Sequence, residues 1–185
     1  ENQAVTTDDY KRSGMDRGHM CPAGDNRWHW KAMQESFYMT NICPQNHNLN
    51  RGDWKELEDA CRLWTKKEGK LYIVCGPVLY RQKHRTIGRK HKVTVPEAFF
   101  KVILSTRNGH PKAIGFIFKN LSGNHPLKNY VNSVDEVERA IRSGADGIGL
   151  FRSEFLYMQR QDGFPDEQVQ TAAYARAAEL CGGRP

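Results

Sequence analysis

The chain has 185 residues, 38% hydrophobic and 26% charged, enough apolar mass for one packed core. That excludes a small disulfide-stapled scaffold; 8 Pro and 16 Gly are too few for a low-complexity chain, and no apolar run approaches the ~20 residues that span a bilayer. Lys and Arg number 28 against 21 Asp and Glu, and the resulting +7 favours polyanionic partners such as nucleic acid.

The chain opens Glu1-Asn2-Gln3 without an initiator Met or a secretion signal, so it is expected to be a processed or excised piece. Residues 50–67 carry Trp54, Leu57, Cys61 and Trp64 at helical spacing, which predicts an amphipathic helix. Leu71–Cys75 is a short apolar run predicted to be a buried strand ended by Gly76-Pro77. Lys92–Val95, Phe99–Leu104 and Ala113–Phe118 are further strand candidates. Ser133 and Glu136 fit a capping box that opens a helix with Val134, Val137 and Ile141 on its apolar side and Gly144 as its stop. Ala145–Phe151 reads as a strand and Asp166–Leu180 as an Ala-rich helix. Lysine stops at Lys128; residues 140–185 hold five Arg and six acids, net −1, which leaves +8 on residues 1–139 and marks a boundary near 140. The five cysteines form no C-x-x-C pair, which removes zinc ribbons. The first four could pair in an oxidising compartment, or bury as small hydrophobes.

The residues that carry chemistry lie between Asp16 and Arg62. Asp16-Arg17-Gly18-His19 places an imidazole, the best proton acceptor near neutral pH, beside a permanent cation suited to phosphate. The alternative is a turn in which Asp16 pairs with Arg17 and His19 merely packs. The stretch Asn41 to Trp54 is rich in amides; an Asn carbonyl is a hard oxygen ligand for Mg²⁺ that keeps most of its waters, whereas Asn50 could equally be a helix N-cap answered by Asp53. His47 is a rival imidazole. Glu58 and Arg62, four apart on the helix, are either site groups or a surface ion pair. On a single helix at 100° per residue, Asn50 and Glu58 would share one flank.

Taken in order, Asp8-Asp9-Tyr10, Ser13-Gly14, Asp16-Arg17-Gly18-His19-Met20-Cys21-Pro22-Ala23-Gly24-Asp25, Phe37–Gln45 and Leu49–Trp54 followed by Leu57-Glu58 resemble the DNA/RNA non-specific endonuclease family over about residues 8–139. The resemblance implies an α+β fold, a ββα-metal nuclease core with a mostly antiparallel sheet flanked by helices. It implies His19 as general base and Asn50 as the protein ligand of one Mg²⁺, with Mn²⁺ as an alternative. Glu58 would be the carboxylate that orients the metal's water, Arg17 and Arg62 the phosphate cations and Asn41 a further amide. One family amide position is Phe37 here. The activity implied is hydrolysis of DNA and RNA to 5′-phosphate products without sequence preference, and export to the periplasm or beyond the cell is expected of so indiscriminate an enzyme. The family's stretch before D-R-G-H, with a strand and an Arg, has no counterpart in the 15 residues before Asp16, so an exposed sheet edge and weakened catalysis are expected. Residues 1–139 are accordingly read as an N-terminally truncated nuclease core.

The tail, residues 140–185, is read as a strand–helix unit of foreign type. Ala145–Met158, Asp166-Glu167-Gln168, Ala173-Tyr174 and Gly182–Pro185 are similar to the phosphoenolpyruvate-binding barrel of phosphotransferase-system enzyme I, in which the Arg matched by Arg152 binds phosphate. One such unit cannot close a barrel, and no phosphotransferase activity is expected. The rival readings are a nucleic-acid-binding module without catalysis and a phosphotransferase fragment. Neither a membrane nor a particular oligomer is implied.

Overall fold

The structure, a computed structural model, describes residues 4–142. In chain order its main elements are β1 (Asp16–His19), α1 (Trp30–Glu35), β2 (Ile42–Gln45), α2 (His47–Arg51) and α3 (Asp53–Glu68). There follow β3 (Tyr72–Val78), β4 (Thr86–Ile87), β5 (Val93–Thr94), β6 (Ala98–Ser105), β7 (Lys112–Lys119), β8 (Val131–Asn132) and α4 (Val134–Arg142). The ladders are all antiparallel: β1 with β2, β4 with β5, and a four-stranded sheet in the order β3-β6-β7-β8. This is the expected α+β class.

The period of two along β6 builds the layers. Phe99 and Ile103 face α3 and join Trp54, Leu57, Cys61, Phe116 and Phe118 in the main core. Ala98, Phe100 and Val102 face the opposite way, onto Val137 and Ile141 of α4. The Trp54 ring packs 5.6 Å from Phe99 and 5.7 Å from Phe118, and this aromatic contact seats α3 on the sheet.

Two sequence readings are revised. The helix predicted over 50–67 is two helices broken at Gly52, whose φ of −104° and ψ of −110° are non-helical. A Cβ there would stand 2.5 Å from the Asn48 carbonyl oxygen, so the break requires glycine. Asn50 is therefore not the cap of the long helix but a residue inside α2; Asn46 caps α2, its side-chain oxygen accepting the Asn48 and Leu49 N–H groups. Strand β3 runs through Gly76-Pro77 to Val78 rather than ending before them, because β3 lies at the sheet edge, where a missing N–H is tolerated. The predicted capping box forms: Glu136 N–H donates to Ser133 Oγ at 3.2 Å, and Ser133 N–H to Glu136 Oε2 at 2.7 Å. Cys43, Cys61 and Cys75 are free thiols. The strand and helix predicted in the tail, and Cys181, lie outside the described residues.

Candidate active site

His19 ends β1 opposite Ile42 of β2. Its carbonyl accepts the Trp54 indole N–H at 3.3 Å, tying the strand end to α3. Its ring meets Phe37 edge-on, centroids 4.7 Å apart. Nε2 is buried and has no hydrogen-bond partner. Burial, helped by the Arg17 charge, holds the imidazole pKa below its ordinary 6.5. His19 is thus neutral near physiological pH, with an unclaimed ring nitrogen, as a general base requires.

Behind it, Asn41 uses its carboxamide on the backbone. Nδ2 donates to the Cys21 carbonyl at 2.8 Å and to the Ser36 carbonyl at 2.7 Å, while Oδ1 accepts the Cys21 N–H at 2.9 Å. The amide expected to face substrate instead braces the segment that follows His19. Gly18 lies over Gln45, and a Cβ at Gly18 would overlap the Gln45 side chain. Gln45 is fully buried and both its amide atoms lack partners.

Asn50 reaches β1 from α2. Its Nδ2 donates to Asp16 Oδ2 at 2.9 Å, and Asp16 also holds His47 Nδ1 at 3.1 Å and Arg51 Nε at 3.9 Å. Burial raises the Asp16 pKa, but the Asn50 and His47 hydrogen bonds outweigh it and keep the carboxyl ionised. Asp16 therefore pairs with α2 rather than with Arg17, and the rival imidazole His47 serves as its partner. The Asn50 amide is fixed through Nδ2, and Oδ1 makes no hydrogen bond among the described residues. Asp16, Arg17, Asn50 and Arg51, with Tyr10 and Lys11, line a groove of about 450 Å³. His19, Glu58 and Arg62 lie outside that lining.

On α3, burial pushes the Glu58 carboxyl up to about 7, against the opposing pull of the Lys101 ammonium. Lys101 projects from β6 into the main core, 1% exposed, with Nζ 4.3 Å from the Trp54 ring centre. Arg62 does not pair with Glu58: Nη1 donates to Asp25 Oδ1 at 2.8 Å and Nη2 to Asp59. The guanidinium expected to meet phosphate is thus held between two carboxylates.

Asp16, Gln45 and Lys101 escaped the sequence reading as site residues. Lys101 carried a signal, a lone cation inside the apolar run Phe99–Leu104. Gln45 carried none; it pairs with Asp16 in the ladder, and its side chain reaches across to Gly18. Among the described residues no three His, Cys, Asp or Glu side chains converge as a metal cage. The free, pre-oriented Asn50 Oδ1 fits a hard cation that keeps most of its water, as Mg²⁺ does, better than a zinc or calcium cage.

A half-buried imidazole ending an antiparallel strand pair, with an amide and a carboxylate on the helices that follow, makes a ββα arrangement. The profile of the DNA/RNA non-specific endonucleases matches residues 1–151, and the chain belongs to that family. It is 40% identical over 148 residues to Nuclease 1, mitochondrial, of Schizosaccharomyces pombe (71% of this chain, 46% of that protein). It is 34% identical over 148 residues to human Endonuclease G, mitochondrial (74% and 50%). The chain thus spans about half the length of the curated relatives it matches. A crystal structure titled as the EndoG/EndoGI complex superposes with a TM-score of 0.68 at 33% identity, covering 74% of this chain and 60% of that one. A second profile, the PEP-binding domain of PEP-utilising enzymes, matches residues 124–185 and overlaps the first. The expectation of export is overturned, because these relatives are mitochondrial nucleases by name.

Proposed function

We propose that the chain is a Mg²⁺-dependent endonuclease that hydrolyses phosphodiester bonds of DNA and RNA alike, leaving 5′ phosphates, with Mn²⁺ able to replace Mg²⁺. The mitochondrion is the compartment proposed with it, after its relatives. The observation that carries the reading is His19: neutral by burial, its Nε2 unclaimed, on the strand whose other end fixes Asn50 through Asp16.

The residues divide the work as follows. His19 Nε2 takes a proton from the attacking water. Arg17, exposed at the groove, neutralises the phosphate. Asn50 Oδ1 would hold the cation, and Glu58 would orient its water. When bound, Mg²⁺ supplies charge neutralisation at the phosphate and the leaving oxygen. Contact through phosphates alone carries no base information, which accounts for the lack of sequence preference. Asn41 acts on His19 through the Cys21 backbone.

A second reading, binding without efficient cleavage, is favoured by the Phe37 ring against His19 and by the capture of Arg62. Incubation with plasmid and with RNA, in Mg²⁺ and in chelator, separates the two. We expect cleavage in Mg²⁺ alone. His19→Ala should reduce the rate by at least about a hundredfold while leaving affinity in chelator unchanged. Retention of both polymers without cleavage would establish the second reading.

A further inference from the structure

Residues 81–92, Arg81-Gln82-Lys83-His84-Arg85-Thr86-Ile87-Gly88-Arg89-Lys90-His91-Lys92, hold six Lys and Arg and no carboxylate. They form an arm built on the β4–β5 pair. All six cations are exposed, and none makes an ion pair among the described residues. Elsewhere Lys11, Arg51, Arg62 and Lys112 are each answered by a carboxylate.

The arm is held firmly beneath. Ile87 and Val95 are buried with Tyr10 and Ile42, and Val93 packs on them. Its two histidines pin it to acids outside it: His84 Nδ1 to Glu97 Oε1 at 2.9 Å, and His91 Nδ1 to Asp9 Oδ2 at 2.8 Å. Asp9 sits in the turn Thr7–Tyr10, and Thr7 and Tyr10 line the groove with Arg17 and Asn50. Arm and groove therefore share a wall. Six like charges on a short anchored arm repel one another, and the two carboxylates that meet the arm, Asp9 and Glu97, bond its histidines rather than these cations. A rigid cationic surface of this kind is pre-organised for a polyanion.

We infer that the 81–92 arm is a second phosphate track, gripping the backbone of double-stranded nucleic acid that runs on from the Arg17–Asn50 groove. The inference rests on the proposed nuclease function and adds that polymer is held better than short fragments.

The test uses the full chain in chelator, so that nothing is cleaved. Binding to a duplex of about 30 base pairs and to a trinucleotide is followed against salt concentration, for the wild type and for a variant carrying Arg89→Gln, Lys90→Gln and Lys92→Gln. The variant's log–log salt slope on the duplex should be shallower by about 2 to 3, with affinity lower by roughly tenfold or more near physiological salt. Trinucleotide binding and melting temperature should match the wild type. Wild-type duplex binding with an unchanged slope in the variant overturns the arm and leaves the nuclease reading intact. Failure of the wild type to bind any nucleic acid at low salt overturns both. Variant loss confined to vesicles of anionic lipid, with duplex binding untouched, overturns the inference in favour of a membrane surface.

Discussion

Burial acts on His19 and Glu58 with opposite sign, because in each it disfavours the charged form: the imidazolium of one, the carboxylate of the other. The base is therefore ready below the ordinary imidazole range, while Glu58 ionises only near 7. The folded pKa of Glu58 lies above its unfolded 4.5, so its contribution to stability is fully present below 4.5 and is lost as pH rises through about 7. Ionising it in the folded chain then costs at most on the order of 3 kcal/mol. Glu58→Gln should raise the melting temperature at about pH 8 and leave it unchanged at about pH 4, while lowering cleavage; thermal melts in chelator at the two pH values check this. An equal rise at both would remove burial as the cause. These side chains were legible as candidates because D-R-G-H and Leu57-Glu58 are local motifs; the shared flank read for Asn50 and Glu58 assumed one helix and does not survive the break at Gly52. The family resemblance gave Arg62 as a phosphate cation, and its ion pair with Asp25, 37 residues away, left no local sign.

Beyond their ladder, strands β1 and β2 are fitted together by the absent side chain of Gly18 over the buried Gln45. Gly18→Ala should cost about 1–3 kcal/mol through overpacking and should tilt His19. Gln45→Ala in the same chain should recover much of the loss, and a double-mutant cycle by urea unfolding measures the coupling. Two independent losses that simply add would refute the fit. From α3 onward the longer elements were readable, since a face buried on one side repeats every two or three to four residues, whereas β1, α1, β2 and α2 are too short to show a period. The helix break at Gly52 was not, because the Trp54–Trp64 stripe continues the pattern and masks it. The end of β3 was misread because Gly-Pro stops a strand in general but not at a sheet edge.

The small β1–β2 sheet and the four-stranded sheet are bolted together by Asn120, just beyond β7. Its Oδ1 accepts the Asn46 N–H at 2.8 Å, and its Nδ2 donates to the Pro44 carbonyl at 3.0 Å and the Pro96 carbonyl at 2.8 Å. Asn120→Ala takes this partner from two buried carbonyls and one half-buried N–H and should cost on the order of 3 kcal/mol. Denaturant titration reads that loss, and cleavage by the folded fraction should also fall, because Asn46 begins the helix that presents Asn50. Retained stability would show the two sheets held by apolar contacts alone.

From the sequence alone came the basic excess and the segments that pack, which composition and periodicity express directly. The α+β class and the candidate imidazole and amide came from motifs that resemble the family. Tertiary structure decided which of those side chains are open. It turned Asn41 onto backbone, closed Arg62 between Asp25 and Asp59, fixed Asn50 through Asp16, and set a buried lysine near Glu58. Apart from Arg62–Asp59, one turn apart on α3, each is a contact between groups that belong to different elements or reach across a loop, and such contacts leave no periodic trace along the chain.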